Sequence, residues 1–236
     1  MIARRSARLG VALLAIVSVG GCIPEAVTVE GERISDLYLL FMAAAAVVFA
    51  IVVGLIGWSI VRYRHAEPNE LPPQTRAHFK LELAWWALPT LVVVVLVFST
   101  IGVLGFVNKE PGHEALRVEV DAFQWGWQFE FPDAGVRVAG TAIDPPRIRL
   151  PLDRQITFVL TSEDVVHSFY VPRFLIKRDH VPGFPNELTV TITEEGTYAG
   201  RCGEFCGLLH EAMRFEIDAV STADFERWLG EQGTGG

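Results

Sequence analysis

The chain has 236 residues, half of them hydrophobic, and a positive mean hydropathy, which leaves room for one full domain plus membrane segments. A formal net charge of −8 argues against a nucleic-acid partner, because phosphate binding needs a basic face. With three cysteines, an exported chain leaves at least one without a disulfide partner.

Residues 1–21 have the form of an export signal. Arg4, Arg5 and Arg8 make a basic head, Leu9 to Val19 is apolar, and Gly20 and Gly21 are the small residues of a processing site. The order V-G-G-C resembles a bacterial lipobox, so Cys22 is expected as a lipidated first residue of the mature chain. The competing reading is cleavage elsewhere and an idle Cys22. One acyl chain anchors only marginally, so membrane lipid at Cys22 supplements other contacts.

Those contacts follow at once. Leu37 to Val61 carries no charge and is long enough to cross a hydrocarbon core, which takes about 20 residues. A second apolar run extends from Leu83 to Val107, with Pro89 in its expected first turns. The loop between them holds Arg62, Arg64, Arg76 and Lys80, whereas the flank from Glu25 to Asp36 has Arg33 among four acidic residues. By the positive-inside tendency the loop is cytoplasmic, and the N-terminus and everything beyond Val107 lie outside. Residues 22–110 thus read as a membrane anchor with spans at about 37–61 and 83–107. Glu82, just before the second span, is either a solvated interface residue or part of a proton path, and spacing favours the first.

From residue 111 to 236 the pattern changes to period two. Q-W-G-W-Q-F-E-F places Trp125, Trp127, Phe129 and Phe131 on one face. Short strands are expected at 147–150, 155–160, 168–171, 187–192, 197–201 and 213–220, punctuated by turns such as P-G-F-P and E-E-G. Such a series argues an all-β sandwich or barrel. Ser221 or Thr222 is a plausible N-cap for a short closing helix.

The stretch R-C-G-E-F-C-G-L-L-H-E-A-M gathers Cys202, Cys206, His210 and Met213 into one loop, and His167 lies upstream in D-V-V-H-S-F. Thiolate, imidazole and thioether form a donor set that suits copper better than magnesium or calcium. Gly203 and Gly207 follow the cysteines and permit the turns that aim both sulfurs inward. Three other readings compete: a Cys202–Cys206 disulfide, a structural Cys2His2 zinc site, and coincidence. The disulfide leaves both histidines and Met213 unexplained, and zinc leaves Met213 unexplained.

Together these motifs resemble subunit II of haem–copper cytochrome c oxidases, over nearly the whole chain. The resemblance includes the Q-W-x-W stretch, V-P-R-F-L-I-K-R-D-H-V-P-G and E-L-A-W-W-A-L-P. It implies a two-helix transmembrane hairpin followed by a cupredoxin-like Greek-key sandwich with a short C-terminal helix. It also implies a dinuclear copper (CuA) centre bridged by Cys202 and Cys206, with His167 and His210 each completing one copper. Met213 and the Glu204 carbonyl become the weak ligands, and the Glu204 carboxylate faces a magnesium ion shared with subunit I. Trp125 corresponds to the residue where electrons arrive from cytochrome c, soluble or membrane-bound, and Glu163 and Asp164 to acidic positions of the docking surface. Glu82 aligns with the mouth of a proton channel. No haem is expected in this chain, which would pass electrons to haem in subunit I for proton-coupled reduction of oxygen to water. Gly126 and Phe184 depart from the family pattern, which often has an aromatic residue and an arginine there. The N-terminus resembles bacterial lipoprotein forms of the subunit, including actinobacterial ones. A quinol oxidase subunit, a class lacking the copper ligands, and a tethered copper-delivery protein, which needs no Trp125 platform, are the alternatives.

Overall fold

The computed structural model describes residues 24–64, 74 and 76–233; the expected export signal and Cys22 lie outside the described residues. Two long helices come first, α1 at Val29–Tyr63 and α2 at Phe79–Val107. Both are long and apolar enough to cross a membrane. Their leucine, valine, isoleucine and phenylalanine side chains stay exposed along most of their length, as a hydrocarbon solvent requires. Both begin earlier than hydropathy alone indicates. Because α2 starts at Phe79, Pro89 sits in the helix interior rather than its first turns. There it deprives the Trp85 carbonyl of its usual donor, and one residue further on the Thr90 hydroxyl donates to the Trp86 carbonyl at 2.8 Å.

The described chain divides into two compact units, residues 36–106 and the remainder. Residues 24–35, expected in the membrane anchor, belong with the β domain. Thr193 N–H donates to the Val27 carbonyl at 2.9 Å, Thr28 bridges to Ile192, and the buried Glu30 carboxylate accepts Thr191 N–H at 2.8 Å.

Ten strands form the β domain: β1 Leu116–Phe123, β2 Gly126–Phe131, β3 Val136–Thr141, β4 Arg147–Pro151, β5 Gln155–Ser162, β6 His167–Val171, β7 Ile176–His180, β8 Asn186–Thr191, β9 Gly196–Cys202 and β10 Arg214–Val220. They make two five-stranded sheets, ordered β3-β2-β1-β5-β8 and β4-β10-β9-β6-β7. The parallel pairs β1/β5 and β4/β10 give the cupredoxin-like sandwich its crossovers. Alternation does the sorting: Val118, Val120, Trp127, Phe129, Phe158, Phe169, Phe215 and Ile217 point between the sheets and are fully buried. Phe215 stacks on Phe169 at 4.9 Å and meets Trp127 at 5.0 Å. Gly200 faces Phe215 across the ladder, where a Cβ would lie 2.1 Å from its ring.

Strands β3 and β7 were not expected from the sequence. Both are sheet edges, and β7 reads I-K-R-D-H, too polar to show a buried face. Helix α3, Thr222–Gly233, closes the domain. Ser221 is its N-cap, with the hydroxyl accepting Asp224 N–H at 3.2 Å and donating to the Asp224 carboxylate at 2.7 Å. Phe225 and Trp228 pack on Phe131 at 6.0 and 5.6 Å.

His180 is wholly buried, paired with the Thr161 carbonyl at 2.7 Å through Nδ1 and edge-on to Trp127 at 5.4 Å. Burial draws its pKa down from 6.5 to about 4, against the opposing pull of the Thr161 carbonyl. The unfolded chain therefore takes up this proton near 6.5 and the folded chain only near 4, so its contribution is complete above 6.5 and lost as pH falls. In the metal-free protein, chemical denaturation across that window should show up to about 3 kcal/mol of acid-induced loss assignable to this group. His180→Leu should flatten the slope, and an unchanged slope would refute the assignment.

Candidate metal centre

The end of the second sheet opens where β6 and β9 separate. Their ladder holds only Phe169↔Cys202 and Tyr170↔Arg201, leaving His167 registered against His180 on β7 instead. Cys202 ends β9, and the loop from Gly203 turns back through a short 3-10 helix at His210–Ala212 into β10. Two backbone bonds pin its ends: Cys202 N–H to the Met213 carbonyl and Gly203 N–H to the Ser168 carbonyl, both 3.0 Å. Gly207 has φ of +117° and lies against the Trp125 ring, 3.0 Å from a would-be Cβ, so a side chain there is excluded twice over. Gly203 serves close approach instead, since a Cβ would meet the Lys177 chain at 2.9 Å.

Five side chains converge. Cys202 Sγ lies 3.8 Å from Cys206 Sγ and 3.8 Å from His167 Nδ1. Cys206 Sγ lies 3.6 Å from His210 Nδ1 and 3.8 Å from Met213 Sδ. The Glu204 carbonyl lies 3.2 Å from Cys202 Sγ. Both cysteines are free thiols, with sulfurs well beyond the roughly 2 Å of a disulfide. His167, Cys202 and Cys206 are buried, with donor atoms all within 4.8 Å of one another. The two sulfurs lie at the middle of the cluster, with both imidazoles, the Met213 thioether and the Glu204 carbonyl around them. A single tetrahedral zinc uses four ligands around one point and has no place for the thioether. Two soft ions sharing the sulfurs use every donor, so the residues fit a copper pair.

Burial raises both thiol pKa values. For Cys202 the His167 imidazole and neighbouring backbone groups outweigh it and draw the thiol down. For Cys206 the Cys202 charge adds to burial and pushes it further up. Without a cation, the loop readily forms one thiolate and resists the second.

Behind His167 stands Asp164. Its carboxylate accepts His167 Nε2–H at 2.9 Å, Val165 N–H at 2.6 Å and Gln124 N–H at 2.7 Å. Burial opposes its ionisation, but these donors hold its pKa below the usual carboxylate range. Donation from Nε2 leaves the Nδ1 lone pair free toward the sulfurs. Burial likewise disfavours charge on His167, yet Cys202 and Asp164 raise its pKa overall. Glu163 and Asp164 are both exposed, and the Asp164 carboxylate in addition holds His167 and the Gln124 backbone. Nothing in the local pattern signals this, because Gln124 and Asp164 meet only through the fold.

Trp125 lies in the turn between β1 and β2, off the strand face expected for it. Its indole N–H and the Gln124 side-chain amide both donate to the Cys206 carbonyl, at 3.1 and 2.7 Å. The Glu204 carboxylate pairs with Lys177 Nζ. Glu82 lies in the first turn of α2, where its carboxylate accepts His78 N–H at 3.1 Å, a capping role.

Fold and donor set define a membrane-anchored, cupredoxin-like protein with a soft-metal loop. Residues 138–220 match the family described as cytochrome C oxidase subunit II, periplasmic domain. The chain is 34% identical to the probable cytochrome c oxidase subunit 2 of Streptomyces coelicolor, over 88% of this chain and 77% of that protein. It is 30% identical to the protein of the same description in Nocardia farcinica, over 90% and 74%. A solved periplasmic domain of subunit II of the Bradyrhizobium japonicum cytochrome oxidase is 24% identical, covering 53% of this chain and 98% of that one, with a TM-score of 0.49. The chain belongs to the cytochrome c oxidase subunit II family, and so to the oxidase class, as a membrane protein with an extracytoplasmic domain.

Asp164→Ala should weaken copper binding about 10- to 100-fold by freeing the His167 ring, as measured by competition with a chelator. Undiminished affinity would show that the carboxylate does not position the ligand.

Proposed function

We propose that this chain is the electron-accepting subunit of a cytochrome c oxidase, with Cys202, Cys206, His167, His210, Met213 and the Glu204 carbonyl holding a dinuclear copper centre. The observation that carries this reading is the convergence of two imidazoles, a thioether and a backbone carbonyl on a pair of sulfurs 3.8 Å apart. When bound, the copper pair takes single electrons from a c-type cytochrome and passes them to haem in subunit I, where oxygen is reduced with proton pumping.

The chain's own residues prepare this. Asp164 fixes the His167 ring, while Gln124 and Trp125 tie the donor-facing turn to the Cys206 carbonyl, giving a direct contact between indole and metal loop. Trp125 is the point of electron arrival, and exposed Glu163 contributes to donor docking. Asp164, exposed beside it, contributes there as well as holding His167. The Glu204 carboxylate exchanges Lys177 for a magnesium ion on assembly with subunit I. Glu82 stands at the proton-channel mouth as well as capping α2. Residues 1–21 are a lipoprotein signal and Cys22 is acylated, placing the N-terminus and the β domain on the outer side of a bacterial cell membrane with both helices spanning it. Partners are subunit I, other oxidase subunits and the donor cytochrome.

Copper-loaded full-length protein in detergent should give an electron paramagnetic resonance signal from one electron shared over two coppers. A single-copper or silent spectrum would sink the proposal. Cys206→Ser should abolish that signal while the β-sheet circular dichroism persists. Global unfolding of that variant would mean the sulfur is structural instead.

A further inference from the structure

A cleft of about 560 Å³ lies against the metal loop, lined by Tyr170, Lys177, Arg201, Cys202, His210 and Arg214 among others. Arg201 on β9 and Arg214 on β10 stand directly opposite each other in the antiparallel register, both exposed. Like charges facing across a ladder are destabilising. The rest of the same face shows how such charge is normally neutralised. Two and four residues along β10, Glu216 and Asp218 meet Arg147, at 3.4 Å for the first and through a two-pronged contact of 2.7 and 2.8 Å for the second. Thr197 adds a hydrogen bond to Asp218 at 2.7 Å. At the end nearest the metal loop that neutralisation stops. Arg201 lies over the Tyr170 ring at 5.4 Å, and Arg214 Nε donates to the Glu211 carbonyl at 3.3 Å. Among the described residues neither has a salt-bridged carboxylate. Lys177 is committed to Glu204 and, at 3.5 Å, Asp179. The Glu211 carboxylate at the rim leaves the cleft with a cationic excess, on a chain whose net charge is −8.

We propose that the Arg201–Arg214 pair is a docking site for carboxylates of the haem-bearing membrane subunit, resting on the function proposed above. Guanidinium groups accept a carboxylate bidentately, and one carboxylate between two guanidiniums removes their repulsion. A basic protein is repelled from this spot, so a basic cytochrome is not its occupant. Cys202 and His210 line the cleft themselves, so a protein seated there touches the metal ligands. The partner that must make such contact besides the donor, assigned to Trp125, is the one that receives the electron.

The test is co-purification of haem with an affinity-tagged chain from membranes that make the whole complex. Arg201→Glu/Arg214→Glu should lower retained haem at least roughly tenfold, whereas Arg201→Lys/Arg214→Lys should keep most of it. Haem retention at the wild-type level in the Glu variant overturns the proposal. Since both arginines adjoin metal ligands, a second measurement leaves them intact: a photo-crosslinking amino acid at exposed Ala199, which also lines the cleft. The expected adduct is with an acidic segment of the haem-bearing subunit; adducts confined to the cytochrome, or to lipid, overturn it. A wild-type chain lacking the two-copper signal would instead sink the function reading, independently of where the crosslinks fall.

Discussion

Two buried thiols 3.8 Å apart are the constraint on which the rest depends. Two thiolates at that distance repel by about 4 kcal/mol even at an effective dielectric constant near 20. Burial and the Cys202 charge push Cys206 upward, while for Cys202 burial is outweighed by the His167 imidazole and backbone donors, which draw it downward. A cation between the sulfurs removes the conflict. Without one, the scaffold has to hold the pair against both repulsion and collapse to a disulfide. It does so with backbone bonds from Cys202 to Met213 and from Gly203 to Ser168, so the sulfurs sit where β9, β10 and β6 put them.

The supports of the loop are shared with the surface around Trp125. The Cys206 carbonyl accepts from both Gln124 and Trp125, and Asp164 accepts from Gln124 and from the His167 ring. The turn between β1 and β2, the turn between β5 and β6, and the β9–β10 loop therefore interlock through one carbonyl and one carboxylate. Movement of the tryptophan turn is felt at a metal ligand without passing through the hydrophobic core.

The convergence of the donor side chains was legible in the sequence because it is largely local: four of them fall between Cys202 and Met213, and only His167 comes from elsewhere. The interior strands were legible for a similar reason, since β2 and β5 carry continuous apolar alternation. Of the four edge strands, β4 and β8 kept enough apolar alternation to show, whereas β3, with two glycine or alanine positions, and the polar β7, I-K-R-D-H, did not. Hydropathy also could not see α1 beginning at Val29 or α2 at Phe79. The first turns of each helix are polar, and α1 is held there by Glu30, whose carboxylate caps Thr191 on another element. The tie from Asp164 to the tryptophan turn was invisible because Gln124 lies 40 residues away along the chain.

How the sheets end bears on what they leave open. Unpaired edges invite association, and two edges are covered from within the β unit. The chain from Val27 to Glu30 runs along the end of β8, while α3 lies by β3, with Gly233 within reach of Val136. The outer face of the second sheet is treated differently. Away from the metal its charges are matched by Arg147, Glu216, Asp218 and Thr197 into a self-sufficient network, as a solvated face tolerates. Beside the metal loop two arginines confront each other without carboxylates, although placing a glutamate opposite either one is sterically simple on an exposed ladder. A fold that covers two of its edges and balances one half of a face leaves the other half cationic beside Cys202 and His210, and that contrast is what the proposed docking of a carboxylate-bearing partner rests on.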